Sequence, residues 1–270
     1  MAAGPLIELR DLNKSYGAVQ VLKSVSLTVR AGEVTALVGD NGAGKSTLVN
    51  CIGGILPVED GTFLIDGAPV TLANPREARD LGVETVHQDL ALCDNLDVVQ
   101  NMFLGREVSD GMRLDEITME RKAAETLRQL GIHTIRSLRQ PVATLSGGQR
   151  KSVAIARAVL WHSRVLILDE PTAALGVTQT RQVLEYGRHL ADRGVAVLLV
   201  SHNLNDVFAV ADSIAALYLG TMAAQVRAAD ITYAQVVELI MTGQCDTLGH
   251  CPVPTDTFTR GPSVAVGASA

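Results

Sequence analysis

The segment that most restricts how this chain can fold is an apolar run, Val34–Val38, that passes without a break into Gly39-Asp40-Asn41-Gly42-Ala43-Gly44-Lys45-Ser46-Thr47 and then into an apolar helical stretch from Ser46 to about Ile52. An apolar run of this length reads as a strand buried on both faces, and strand, glycine loop, helix is an ordered unit with a definite geometry. Gly39, Gly42 and Gly44 with Lys45 and Ser46 match the spacing G-x-x-x-x-G-K-[ST]. Such a loop turns its backbone N–H groups inward around phosphate oxygens, and a Cβ at the glycines would obstruct the turn or the approach. Lys45 adds a positive charge for the outer phosphates, Ser46 offers a hydroxyl to a divalent cation, and the helix presents its positive end.

The remainder of the chain supplies the layers such a unit needs. Ile7–Leu12 and Val21–Val29 carry short alternating patterns interrupted by Asn13-Lys14-Ser15-Tyr16-Gly17, which predicts a small antiparallel sheet at the front. Further strand signals follow at Gly61–Ile65 and Val83–Val86. From about Leu90 to Val142 the strand runs disappear, and Met119, Ala123, Leu127 and Leu130 recur at helical spacing. Strands return as Val165–Leu168, Val195–Val200 and Ile214–Leu219, alternating with helical segments Thr178–Arg193 and Leu204–Ala211, the pattern of crossovers in a parallel sheet. A last helix is expected near Tyr233–Met241. The stretch from Gly243 onward, rich in small and turn-forming residues, is expected to be disordered. The expected fold class is α/β, with a P-loop NTPase core on a parallel sheet, an N-terminal antiparallel β subdomain and an inserted helical subdomain. One domain is expected over residues 6–243, with the helical insertion at about 90–145 and a tail at 244–270.

Composition narrows the classes. With 270 residues, 47% of them hydrophobic, the chain can bury one sizeable core. Its 23 basic and 29 acidic residues leave a formal charge of -6, so nothing general draws it to nucleic acid or anionic lipid. Its apolar runs are strand-sized, far below the roughly 18 residues of a membrane span. The N-terminus lacks the basic start and apolar core of a secretory signal, so a cytosolic protein with reduced cysteines is expected. Cys51 and Cys93 sit among apolar neighbours as core thiols, and Cys245, His250 and Cys251 form no recognised metal-ligand spacing.

Two more stretches carry chemistry. Val165-Leu166-Ile167-Leu168-Asp169-Glu170 is an apolar strand delivering two carboxylates at its end. Neighbouring strand side chains point opposite ways, which predicts different jobs: Asp169 toward a metal, Glu170 polarising an attacking water as general base. Solvated acids at a strand end are the competing reading of the pair taken alone. Leu145-Ser146-Gly147-Gly148-Gln149 precedes a strongly helical stretch, Arg150–Leu160. Ser146 and the two glycines can present a hydroxyl and backbone N–H groups to a phosphate at a helix start, or simply cap the helix.

L-S-G-G-Q after a P-loop resembles the signature of ATP-binding cassette (ABC) ATPases, and the resemblance spans roughly residues 6–243. It implies that ATP and Mg²⁺ are the ligands. Tyr16 then resembles the aromatic that stacks on adenine; Gly39 through Thr47, including Asp40, Asn41 and Ala43, hold the phosphates; and Ser46, Gln88 and Asp169 hold the metal. Glu170, Gln88, His202 and Lys45 become the catalytic set, with His202 as the switch histidine. The same resemblance implies that Ser146, Gly147, Gly148 and Gln149 act on the nucleotide of a second copy in a head-to-tail dimer. One departure stands out: Gly176 occupies a loop position where many cassettes carry an aspartate, which removes a carboxylate contact across such a dimer. Gly39-Asp40-Asn41-Gly42, His87-Gln88-Asp89-Leu90 and Ala173-Ala174-Leu175-Gly176 are similar to monosaccharide-importer ATPases of the ribose, xylose and fructose type. That likeness implies a peripheral subunit on the inner face of the cell membrane, partnered by a permease and indirectly by a solute-binding protein. A cassette ATPase without a transport role and a nucleotide sensor that does not hydrolyse are the other readings.

Overall fold

In the computed structural model, which describes residues 4–161 and 163–244, the front of the chain is a long hairpin of β1 (Pro5–Tyr16) and β2 (Val19–Arg30). The expected interruption at Asn13–Gly17 is therefore corrected, because pairing persists through Lys14↔Leu22, Ser15↔Gln20 and Tyr16↔Val19. The polar stretch is absorbed by register shifts, and Asp11 and Ser24 adopt positive φ beside them. Asn13 Oδ1 accepts from Gln20 Nε2 and the Ser24 N–H, side-chain bonds that substitute for the regular ladder.

β3 (Val34–Val38) leads into α1 (Lys45–Ile52), and β4 (Asp60–Ile65) and β5 (Ala68–Pro69) then join the hairpin in a four-stranded antiparallel sheet ordered β2-β1-β4-β5. α2 (Pro75–Asp80) starts at an Asn74 cap followed by proline and leads to β6 (Val83–Val86). Next come α3 (Val98–Phe103), a small ribbon of β7 (Ser109–Asp110) and β8 (Arg113–Leu114), and α4 (Glu116–Gln129). The ribbon lies where no strand was expected; at two residues per strand it is too short to leave an alternating pattern.

After a 3₁₀ turn at Val142–Thr144, α5 (Gly147–Leu160), β9 (Val165–Asp169), α6 (Val177–Asp192), β10 (Ala196–Val200), α7 (Leu204–Val210) and β11 (Ser213–Tyr218) alternate. β12 (Thr221–Arg227) folds back antiparallel on β11, and α8 (Tyr233–Thr242) ends at Gly243 in the left-handed conformation that favours glycine. The large sheet has six strands ordered β12-β11-β3-β10-β9-β6, parallel except for β12.

Alternation along its central strands decides what each face packs against. Ile167, Leu198 and Val200 join Ile7, Leu9, Leu27 and the helix α1 residues Leu48 and Ile52 on one face. Leu166, Leu168, Val197 and Leu199 face Val153 and Ile155 of α5, Met102 and Phe103 of α3 and Met119 of α4 on the other. The expected helical insertion thus shares a core with the parallel sheet. The tail after 244, with Cys245, His250 and Cys251, lies outside the described residues.

Candidate active site

The glycine loop closes on itself before any ligand enters. Lys45, 9% exposed, donates from Nζ to the carbonyls of Gly39 and Asp40 at 2.8 and 2.9 Å. The Ala43 N–H donates to Asp40 O, and the Gly220 N–H to Ala43 O, fastening the loop to the β11–β12 turn. Gly39 is forced to be glycine by both conformation, φ +156, and space, since a Cβ would collide with the Leu217 carbonyl. At Gly42, φ +84, a Cβ would meet no protein atom within 4 Å and would instead project into open space. A bare backbone with nothing packed on it is what close approach of a phosphate needs.

That space is continuous with a cavity of about 290 Å³ lined by Asn41, Gly42, Gly44, Lys45, Ser46, Thr47, Gln88, Asp169 and Glu170. Gly39, Asp40 and Ala43 belong to the loop but not to the cavity lining. Parallel pairing of β9 with β10, and β10 with β3, puts the strand carrying Asp169 two places from the strand feeding the loop. The expectation that Asp169 and Glu170 point opposite ways is corrected here. β9 ends at Asp169, and Glu170 leaves it at φ 48, a left-handed turn after which both residues line the same cavity. Burial lifts the Asp169 carboxyl above its ordinary range, with His87 and Lys45 opposing and Glu170 adding to the rise. Burial likewise lowers Lys45, against the opposing charges of Glu170, Asp40 and Asp169. Glu170 Oε2 is buried without a hydrogen-bond partner; His202 Nδ1 lies 2.8 Å away, close enough for an ion pair but not aligned as a donor.

Among the described residues no group of three or more His, Cys, Asp or Glu side chains is placed to hold a metal. A cation here would rest on the Asp169 carboxylate, the Ser46 hydroxyl and the Gln88 amide oxygen, completed by water or phosphate. Few protein ligands and hard oxygen donors are the habit of Mg²⁺, so the residues fit it.

Tyr16 stands at the hairpin end, exposed and outside the cavity lining, while β2 passes the loop with Val21 lining the cavity. The signature residues are also outside it. Ser146 caps α5 in a reciprocal box with Gln149: its Oγ accepts the Gln149 N–H, and Gln149 Oε1 accepts the Ser146 N–H. Ser146 and Gly147 remain exposed, and a Cβ on Gly148 would press on Gln179 at 3.0 Å. Within a single chain these residues therefore do not line the cavity holding Lys45 and Glu170. Sequence reasoning missed Arg157, whose guanidinium donates to Leu90 O and Ala91 O and fixes the loop after Gln88 to α5. Its acceptors are distant backbone carbonyls, which leave no signal in the sequence.

The sequence profile described as ABC transporter matches residues 22–173. The chain is 43% identical over 250 residues to the fructose import ATP-binding protein FrcA of Rhizobium meliloti, covering 90% of this chain and 96% of that protein. It is 41% identical over 235 residues to the xylose/arabinose import ATP-binding protein XylG of Sulfolobus acidocaldarius, covering 87% and 93%. Its fold is similar to an ATP-binding cassette of an ABC transporter in the ADP conformation, at TM-score 0.75 and 25% identity over 87% of this chain and 94% of that one. A dimeric cassette bound to ADP and Pi in a post-hydrolysis state superposes at TM-score 0.70 and 25% identity over 82% and 98%.

Proposed function

The chain belongs to the ABC transporter family, and from that premise we propose that it is the ATP-hydrolysing subunit of a sugar importer, working as a pair of copies beneath a separate membrane permease. The observation that carries the reading is the convergence of Lys45, Ser46, Gln88, Asp169 and Glu170 on one cavity at the mouth of the glycine loop. The sugar class is supported by the fructose and xylose/arabinose import relatives, which match over nearly their whole length.

In this reading the loop N–H groups and Lys45 bind the β and γ phosphates, and Tyr16 takes the adenine. Ser46, Asp169 and Gln88 would hold Mg²⁺, which when bound would neutralise charge on the phosphate oxygens. Glu170 orients the attacking water and accepts its proton, a role that suits a carboxylate on this cavity whose Oε2 accepts no hydrogen bond. His202, beside that oxygen, and Gln88 hold the nucleophile in line. Ser146, Gly147, Gly148 and Gln149 of a second copy close over the outer phosphate and exclude water. No helix among the described residues is long and apolar enough to cross a membrane, so work on a solute passes through a docked permease on the cytoplasmic face.

Phosphate release from ATP by the purified chain tests the reading. Lys45→Ala is expected to abolish nucleotide binding. Glu170→Gln is expected to keep binding while slowing hydrolysis by roughly 10²–10⁴-fold. Full turnover in Glu170→Gln would remove Glu170 as the base. With membranes carrying the cognate permease, hydrolysis should rise when sugar-loaded binding protein is added, and a response to no sugar would remove the substrate class.

A further inference from the structure

The turn that aims Glu170 is held from a helix outside the cavity. Between β9 and α6 the backbone enters the left-handed region at Glu170, φ 48, and again at Ala174, φ 59, conformations L-residues seldom adopt. Backbone bonds close part of it: the Glu170 N–H donates to Val200 O, the Ala173 N–H to Glu170 O, and the Leu175 N–H to Thr172 O. At the far end Gly176 caps α6 without a side-chain bond. What fastens the middle is Lys151, buried on α5 at 7% exposure, which donates from Nζ to the Ala173 carbonyl at 2.7 Å. Its charge also lies within electrostatic reach of Glu170. The start of α5 packs on the same loop, since a Cβ on Gly147 would lie 3.6 Å from Leu175 and one on Gly148 3.0 Å from Gln179 at the head of α6.

We propose that Lys151 is a positioning residue for hydrolysis: by gripping Ala173 O it keeps the Glu170–Ala174 turn in its left-handed form and ties the direction of the Glu170 carboxylate to the helix start that carries Ser146–Gln149. A helix whose N-terminus faces the nucleotide of one site thereby sets the base of the other. The inference rests on Glu170 acting as the base. A carboxylate displaced by about 1 Å loses much of its effect without any change in how nucleotide is held, which fixes what an experiment should read.

Steady-state hydrolysis and binding of a fluorescent, non-hydrolysable ATP analogue are measured for the chain, Lys151→Met, Lys151→Arg and Glu170→Gln, and for Lys151→Met combined with Glu170→Gln. The expected result is a fall in kcat of about 10- to 100-fold in Lys151→Met with KM and analogue affinity unchanged, and partial recovery in Lys151→Arg, which can still donate to a carbonyl. On the Glu170→Gln background Lys151→Met should change little further, because residues acting as a unit are not additive. Should Lys151→Met fail to fold, Lys151→Leu gives the same comparison, removing the donor with a shorter apolar side chain. Unchanged kcat with an active wild-type chain would overturn the positioning role alone, as would a kcat loss matched by lost nucleotide affinity and not recovered by arginine. An inactive wild-type chain, or a fully active Glu170→Gln, would overturn the reading of Glu170 and this inference with it.

Discussion

Glu170 and Cys51 show how burial and backbone together set the chemistry of single residues. The left-handed turn at Glu170 converts two consecutive carboxylates, which a continued strand would splay apart, into neighbours on one cavity. Cys51, on the inner face of α1 and 1% exposed, shows burial without function. Desolvation pushes its thiol up to about 11, with Lys14 opposing, so it stays protonated and unreactive at neutral pH. Alkylation at about pH 8 is therefore expected to spare Cys51 in the native protein and to label it once the chain is unfolded, which mass spectrometry of the α1 peptide would read. Rapid native labelling would mean that α1 opens far more readily than its packing suggests.

At the scale of elements, the loop between Gln88 and α3 is held by side chains from both α3 and α5. Asn101 is fully buried in α3, and its amide donates to the carbonyls of Cys93, Leu96 and Asp97 while accepting the Cys93 N–H at 2.7 Å. Arg157 holds Leu90 and Ala91 from the other side. An alanine at 101 would strand the Cys93 N–H and remove the amide's bonds to three carbonyls that each keep a backbone donor, a loss of roughly 1–3 kcal/mol in stability and a fall of roughly 2–12 °C in Tm. Thermal unfolding of Asn101→Ala checks this; a shift under about 1 °C would mean that the loop finds other partners. The helix starts are better insured. Asp97, Ser146 and Thr232 each form a reciprocal capping box, so α3, α5 and α8 would begin where they do even with weaker tertiary support.

For the whole molecule, the separation of the signature residues from the glycine-loop cavity is the consequential feature. Ser146 and Gly147 are exposed at the start of α5, while Lys45 and Glu170 line their own cavity, and in the proposed reading each set is half of a site that a second copy completes. Turnover per chain is then expected to climb with protein concentration as copies pair, while Lys45→Ala stays inactive at every concentration. Initial rates across about a hundredfold range of concentration, with sedimentation in the presence of ATP for the slow Glu170→Gln variant, measure it. Activity independent of concentration in a chain that sediments as a monomer would leave the ATPase and remove the composite site.

The strand, loop and helix from Val34 to Ile52 were legible in the sequence because their determinants are local: an apolar run, glycines where φ is positive, and a lysine at fixed spacing. The parallel strands and most helices followed from periodicity for the same reason, with most ends shifted by about one residue and the start of α5 at Gly147 rather than Arg150. The course of the front hairpin was not legible, because bulges and the side-chain bonds of Asn13 depend on a partner strand that pattern alone does not specify. Nor were Arg157 and Lys151, whose acceptors lie many residues away and are backbone carbonyls with no sequence signature. Sequence alone thus determined which chemical groups the chain carries and which local turns present them. Only the tertiary structure decided that Asp169 and Glu170 share a cavity and that Lys151 grips the turn between them and α6, because those depend on where strands end and helices cross.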